Sequence, residues 1–539
     1  FDLNINTDPN NPSTADIALL LPSAQLNLSG LFEGVSQTTL GLTGIFANSD
    51  SFGFTNNSFN GTWNSFYQNG MKDLDEIIKA TTDNNPRNLA VAQVMKAYFM
   101  GSFVDLFGDA PYTEAWQGNA TTINLNPKFD SGKDIYDDCI KLCDQAVANL
   151  AKPGAAIKGD LYYNGSVASW TTLANTVKLR LLINSRRVRS TAAAEIKAIL
   201  DGGNIIKTAA NDFQFRYNKL ANPDGRHPWY SSAYAGATDN GFTYILHQIM
   251  YDMIDLGDPR LPFYFRRQTS TILDQNDPTS RSTTPCSQQA GCKYAYMVLN
   301  PAVIKALYTD KGKTATAADL AYLAGFFGRD RGDISGVPQD VNLRTVPGCY
   351  PAAGAYDRAT ASKSATSASQ GSGDGIFPMI TTWMVKYYQI EAILTLGISG
   401  DAKALFEAAM REQITKVVNM GLASDPNNAK APTAAEIDKY VKIFLDRYDA
   451  APTNEAKLNL VLKQAWYSNY GNGNEIYNAF RRTGYPSDIQ VPVARYRNYP
   501  LRLPQPAQET SLNKSAPQTP VAFDTPSAAV FWDVVKFAY

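Results

Sequence analysis

A chain of 539 residues with a net charge of −1 and a pI near 6.3 is long enough to bury a large core. It has neither the basic surplus of a nucleic-acid binder nor a polybasic patch for an anionic membrane, so no nucleic-acid partner is expected. Only 18% of residues are charged, against 29 tyrosines and 25 phenylalanines, a balance that suits a secreted or surface protein holding neutral ligands.

The polar lead FDLNINTDPNNPSTAD reads as the start of a chain whose targeting segment or lipid anchor has been removed. No continuous apolar run approaches the roughly 20 residues of a membrane span. Ala15 to Ala47 leans apolar with scattered glycines and predicts helix plus loops. From Trp63, the three-and-four spacing of Phe66, Tyr67, Leu74, Ile77 and Ile78 predicts a helix that stops near Thr82. Pro86 suits a first helical turn. Val91, Met95, Phe99, Phe103 and Leu106 then recur at helical spacing, and Val94 and Phe107 fill the other side. Arg87 to Phe107 is therefore a helix buried on most sides, ended by Gly108. These two helices make an antiparallel hairpin. The loop GDAPYTEAW places Tyr112 and Trp116 just outside the buried helix, a rigid mount for a ligand platform.

Asp130 or Ser131 caps a next helix carrying Ile135, Cys139, Leu142, Ala146 and Leu150. Cys139 and Cys143, one turn apart, read as small core residues. After the loop KGDLYYNGS, the spacing of Val167, Trp170, Ala174, Val177 and Leu181 predicts its partner. Lys178, Arg180, Arg186, Arg187 and Arg189 near its end read as a solvated helix terminus of the sign the dipole prefers. From about Asn211 to Gly375, Gly and Pro break the chain into short segments and aromatics concentrate; loops, short helices and a few strands are expected. Cys286 and Cys292 flank SQQAG, compatible with a small disulfide or with two free thiols. Tyr294 and Tyr296 alternate as in a strand and read as packing residues. The two histidines, His227 and His247, read as structural, and no metal or cofactor is predicted.

Helical spacing resumes at Ile380, Trp383, Met384, Tyr387, Ile390 and Leu394. Asp401 caps a helix with Leu405, Phe406, Ala409, Val417 and Met420. Thr433 and Glu436 form a capping box for one with Tyr440, Val441 and Phe444. Thr453 or Asn454 opens another with Leu458, Val461, Leu462, Ala465 and Trp466. The tail is Pro-rich and reads as extended. Paired helices of this length are the unit of tetratricopeptide arrays. The expected architecture is mostly α, with four tetratricopeptide-like helix pairs against an irregular loop-rich lobe with a few short strands. Within a single unit of 1–539, residues 58–190 hold the first two pairs, 191–375 the ligand lobe, 376–475 the last two pairs, and 476–539 the tail.

Several stretches, in order, resemble the SusD/RagB-type nutrient-binding outer-membrane lipoproteins. NTDPNNPSTAD resembles the segment after the lipidated cysteine, LFGDAPYTEAW the loop after the second helix, and SWTTLANTVKLRLLINSRR the fourth helix. DPRLPFYF, GRDRGDISGVPQD, GNGNEIYNAFRRTGYPS and RLPQPAQETSLN resemble later landmarks. The resemblance implies anchoring through an N-terminal lipid at the surface of a Bacteroidetes-type bacterium. It also implies a lid role over a SusC-like TonB-dependent barrel and a glycan or peptide ligand. In starch-binding members part of an aromatic arc lies in the loop after the second helix, which here points to Trp116, with Tyr112 beside it. Trp229, Tyr230 and Tyr234 are added on the chemistry of PWYSSAY alone.

The leading reading is a non-enzymatic oligosaccharide binder: sugar C–H faces stack on rings, and hydroxyls bond amides and carboxylates. Trp63, Trp170, Trp383 and Trp466 fall on apolar stripes and are expected in the core. An oligopeptide is the alternative ligand. A helical glycoside hydrolase needs paired carboxylates. Asp105 with Asp109, and Asp330 with Asp333, have the spacing but sit at a helix end and a turn. No G-x-S-x-G, Walker or H-E-x-x-H motif is present, so no catalytic residue is predicted. A scaffold that binds only proteins on its helix array is a further reading.

Overall fold

The computed structural model describes residues 16–81, 85–117, 123–230, 243–267, 314–326, 328–333, 344–351, 373–428, 430–517 and 522–537. Tyr234, Cys286, Cys292, Tyr294 and Tyr296 lie outside them.

Helix α1 (Ile17–Leu42) is continuous for 26 residues, where helix plus loops was expected. The Asp16 carboxylate accepts the Ala18 amide at 2.9 Å and caps it. Pro22 lies inside the helix and leaves the Ala18 carbonyl without its usual amide donor. Gly159, at φ +74°, comes up against that spot: a Cβ there would sit 2.6 Å from the Ala18 carbonyl oxygen. The predicted helix from Trp63 is two helices, α2 (Asn60–Ser65) and α3 (Met71–Ala80), joined by one π turn over Phe66–Gly70. Gly70 is needed there, because a Cβ would meet Leu28 of α1 at 2.3 Å.

Helix α4 (Pro86–Phe107) opens on Pro86, as expected, and ends at Gly108, whose φ +80° and ψ −133° only glycine adopts readily. By length and hydropathy α4 could cross a membrane, contrary to the expectation that no stretch qualifies. Its most apolar window is, however, 89% buried inside the protein, against α3 and two further helices, α5 (Gly132–Leu150) and α6 (Val167–Ser185). Ser131 and Ser166 cap these two. α7 (Ala192–Gly202) packs on α6.

The described part of the irregular region holds α8 (His247–Leu256), α9 (Leu261–Tyr264) and α10 (Ala317–Ala324). Then come α11 (Thr382–Leu396), α12 (Ala402–Ser424), α13 (Ala434–Ala450) and α14 (Asn454–Ser468). Asp401, the Thr433–Glu436 capping box and Thr453 start the last three as expected. The four pairs are α3–α4, α5–α6, α11–α12 and α13–α14, and α6 packs on α11 to join the two halves. The described strands form two small antiparallel ribbons: β1 (Ala110–Pro111) with β2 (Phe129–Asp130), and β3 (Phe213–Arg216) with β4 (Ile376–Ile380).

The C-terminal tail departs from the expected extended path. It runs through α15 (Gly473–Thr483) and α16 (Ala507–Leu512). α15 is polar yet buried, and that polarity hid it from hydrophobic periodicity. Its side chains join a buried network centred on Asp105 at the end of α4. Asp105 accepts from Arg180 (2.9 Å), Asn478 (3.0 Å), Trp532 (3.0 Å), Asn184 (3.3 Å) and Tyr136. Arg180 also bonds Glu475 at 2.5 Å, and Glu475 accepts from Tyr388. Arg482 makes a two-pronged pair with Glu391 at 2.7 and 2.8 Å, and Arg186 reaches the same carboxylate at 2.6 Å. The basic cluster of α6 is thus only in part a solvated helix end: Arg187 is exposed, but Arg180 and Arg186 are not. Arg180 and Arg186 are buried because carboxylates from α4, α11 and α15 meet them, repaying the cost of taking charge out of water. Trp63, Trp170, Trp383 and Trp466 are core residues, and Cys139, Cys143 and Cys349 are buried thiols.

Candidate functional site

The loop after Gly108 is pinned at both ends of its turn. The Tyr67 hydroxyl donates to the Pro111 carbonyl at 2.8 Å, and the Thr113 amide donates to Asp130 at 2.7 Å. Trp116 sits at φ +56°, a left-handed conformation that a bulky residue rarely takes. Three contacts hold it there. Its Nε1 donates to the Tyr67 carbonyl at 3.0 Å. Its own carbonyl accepts the Lys79 ammonium at 2.7 Å. Its ring stacks on Tyr67 with centroids 5.4 Å apart and planes 26° apart. Lys96 Nζ lies 5.1 Å from the indole centroid. Tyr112 meets Trp116 edge-on at 6.5 Å and is buried. Its hydroxyl donates to Asp138; burial above all, with the negative surroundings, pushes that phenol well above its usual range.

A cavity of about 240 Å³ opens beside the indole. Trp63, Tyr67, Trp116 and Ile123 give it an apolar side, and Glu114, Gln117, Asn124 and Glu509 a polar one. Glu509 comes from α16, nearly the other end of the chain. It is strapped in by Asn513, which donates to Glu509 Oε1 at 2.9 Å and to the Pro127 carbonyl at 2.8 Å. The Lys514 amide adds a bond to Asn126 at 2.7 Å. Sequence reasoning named Trp116 and Tyr112 but not Glu114, which lies between them, nor Glu509, which no local signal joins to this loop.

Trp229 and Tyr230, read from sequence as exposed, are 3% and 4% accessible. Phe46, His227 and Tyr470 surround the Trp229 ring at centroid distances of 5.3, 5.4 and 5.7 Å. Pro228 suggested a surface loop, but rings remote in sequence close over Trp229. His227 is buried and structural: its Nδ1 accepts the Trp229 amide at 3.1 Å, and its Nε2 lies 3.3 Å from the Ile376 carbonyl. Burial lowers its pKa to about 3. Among the described residues no group of acidic, histidine or cysteine side chains could hold a metal ion.

Members of the carboxylate pairs weighed for hydrolysis are bonded or buried within the fold. Asp105 is saturated by the network above, Asp109 accepts the Gly132 amide at 2.7 Å, and Asp330 and Asp333 are buried. A larger cavity of about 650 Å³ lies where α8, α9 and α10 meet α13. Much of its polar lining is spent on structure: Asp258 on Arg260, and Asp319 and Glu436 on capping boxes. The groove at Trp116 is smaller but combines a held ring with accessible amides and carboxylates.

Residues 9–293 match a SusD-like family model described as starch-binding and associating with the outer membrane. Residues 358–533 match the model of SusD and RagB outer-membrane lipoproteins. The fold is that of a chitin-binding SusD homologue from Flavobacterium johnsoniae (TM-score 0.66, 18% identity, 97% of this chain and 100% of that one). It is also that of a SusD homologue from Bacteroides fragilis (0.67, 17%, 95% and 99%). A SusD/RagB family protein from Bacteroides thetaiotaomicron is equally similar (0.67, 17%, 97% and 99%). The search of curated proteins returned no match.

Proposed function

The chain belongs to the SusD-like family of outer-membrane lipoproteins, and from that premise we propose that it captures an oligosaccharide at the Trp116 groove and delivers it to a SusC-like TonB-dependent barrel. It acts by binding, without catalysis. The observation that carries this reading is Trp116 itself. A bulky residue is held at φ +56° by bonds at both its indole N–H and its carbonyl, at the edge of a groove with amide and carboxylate side chains. Strain of that kind persists only where surrounding structure enforces it, and it concentrates at ligand clamps.

The groove suits a sugar better than a peptide. Peptides are commonly read through backbone pairing, and four main-chain carbonyls around this groove are already engaged. Tyr67 accepts from Trp116, Pro111 from Tyr67, Trp116 from Lys79, and Pro127 from Asn513. Beside them the groove offers ring surface and side-chain acceptors, the combination that sugar C–H faces and hydroxyls require. The proposal rests on Trp116, with Tyr112 behind it, rather than on Trp229 and Tyr230, whose rings are buried. The chitin-binding homologue makes chito-oligosaccharides the first probes.

The test is a calorimetric titration of the protein with mixed oligosaccharides and, separately, with mixed oligopeptides. Saturable binding of a glycan alone is expected. Binding of peptides alone would overturn the reading.

A further inference from the structure

The groove beside Trp116 has a charge character that narrows its ligand class. Among the described residues its lining includes two carboxylates, Glu114 and Glu509, and no lysine or arginine. They come from opposite ends of the sequence and meet across the same hollow. Each is partly committed. Glu114 accepts the Asn124 amide (2.9 Å) and the Lys128 main-chain N–H (3.0 Å), both on Oε2. Glu509 accepts Asn513 on Oε1. The bonds to described residues thus leave Glu114 Oε1 and Glu509 Oε2 for another donor.

The cations nearby are turned to other tasks. Lys79 pairs with Asp75 at 2.6 Å and bonds the Trp116 carbonyl. Lys128 pairs with Asp130 at 3.0 Å. Lys96 stands 3.7 Å from Asp75 and about 5 Å from the Tyr112 and Trp116 rings. Among the described residues no basic side chain lines the groove to meet an anionic ligand.

We infer that Glu114 and Glu509 set the charge selectivity of this groove: it takes neutral and amine-bearing sugars and rejects uronic-acid or sulfated ones. This rests on the groove being the oligosaccharide site. Two mechanisms act together. A free carboxylate oxygen accepts from sugar hydroxyls and, more strongly, from an ammonium. It repels a ligand carboxylate or sulfate held within the same few ångströms. Because both glutamates are partly exposed, each contributes up to about fivefold in affinity, in the range of solvent-screened pairs.

The experiment titrates the wild-type protein, Glu114→Gln, Glu509→Gln and the double variant by calorimetry at low salt. Three probes of equal length are used: an N-acetylglucosamine oligomer, a glucosamine oligomer below the pKa of its amines, and a galacturonate oligomer. Wild type should bind the glucosamine oligomer best and the galacturonate oligomer worst. The double variant should lose several-fold for the glucosamine oligomer, lose less for the neutral one, and gain for the galacturonate. Galacturonate binding as tight as the neutral oligomer, or an order unchanged in the double variant, would overturn the inference. If Trp116→Ala abolishes neutral binding while the charge order is flat, the inference fails and the parent reading stands. If no oligosaccharide binds wild type at all, both fail.

Discussion

The Trp116 indole lies on the Tyr67 ring at 5.4 Å and donates its N–H to the Tyr67 carbonyl at 3.0 Å. One residue in the π turn between α2 and α3 therefore fixes both the plane and the rotation of the ring. It also ties the loop after α4 to the helix before it, since the Tyr67 hydroxyl holds the Pro111 carbonyl.

The φ of +56° at Trp116 makes a distinction between two truncations. Trp116→Ala keeps the strained backbone and loses the ring. Trp116→Gly loses the ring and the strain. The glycine variant should be more stable than the alanine variant by about 1 kcal/mol, read from urea midpoints. Equal stability would mean that the backbone relaxes once the ring is gone.

The Asp105 carboxylate joins α4 to α5, α6, α15 and the C-terminal segment, and its main-chain carbonyl accepts from Arg481 of α15. Asp105→Ala would leave Arg180 buried with Glu475 as its remaining carboxylate. Removing one partner of a buried pair costs about 3–5 kcal/mol, so the urea midpoint should fall sharply. A loss below about 1 kcal/mol would show that the network contributes little.

Glu33, inside α1, is buried, and burial lifts its pKa to about 8 against the lowering influence of the nearby Gln37 and Trp229 side chains. The unfolded carboxyl titrates near 4.5. Between those values the folded state holds a proton that the unfolded state has lost. Folding stability therefore falls as pH rises from about 4.5 to about 8 and levels off above that. Glu33→Gln should be more stable than wild type by about 2–4 kcal/mol at pH 8.5, with little advantage near pH 4.5. A pH-independent difference in thermal midpoint would contradict this.

Gly421 of α12 faces α9 so closely that a Cβ would sit 2.1 Å from Phe263 Cδ1. Gly421→Ala should cost about 1–3 kcal/mol. Gly30 of α1 has nothing within 4 Å of such a Cβ, and Gly30→Ala should stabilise by about 0.5–1 kcal/mol. Denaturant midpoints that move the same way for both would sink the packing argument.

The helix pairs were legible because their apolar residues recur at helical spacing and their caps are explicit: Ser131, Asp401 and Thr433 all cap where expected. α15 was not legible, because Asn474, Glu475, Asn478, Arg481 and Arg482 are buried beside Ile476, Tyr477 and Phe480, and periodicity scores the polar ones as surface. Arg180 was misread for the same reason: its partners Asp105 and Glu475 lie far away in sequence. At the site, a short loop after a rigid helix pointed to Trp116. Glu509 could not be found, since only the C-terminal strap brings it there. Trp229 was misplaced because local Pro and Tyr suggest a loop, while Phe46 and Tyr470, remote in sequence, enclose it.

The most direct measurement of the central claim is a crystal structure of the protein soaked with the tightest-binding chito-oligosaccharide. The account predicts a sugar ring against the Trp116 indole, with hydroxyl or amine groups bonded to Glu114 or Glu509. A sugar bound elsewhere, with the Trp116 groove empty at saturating ligand, would contradict it.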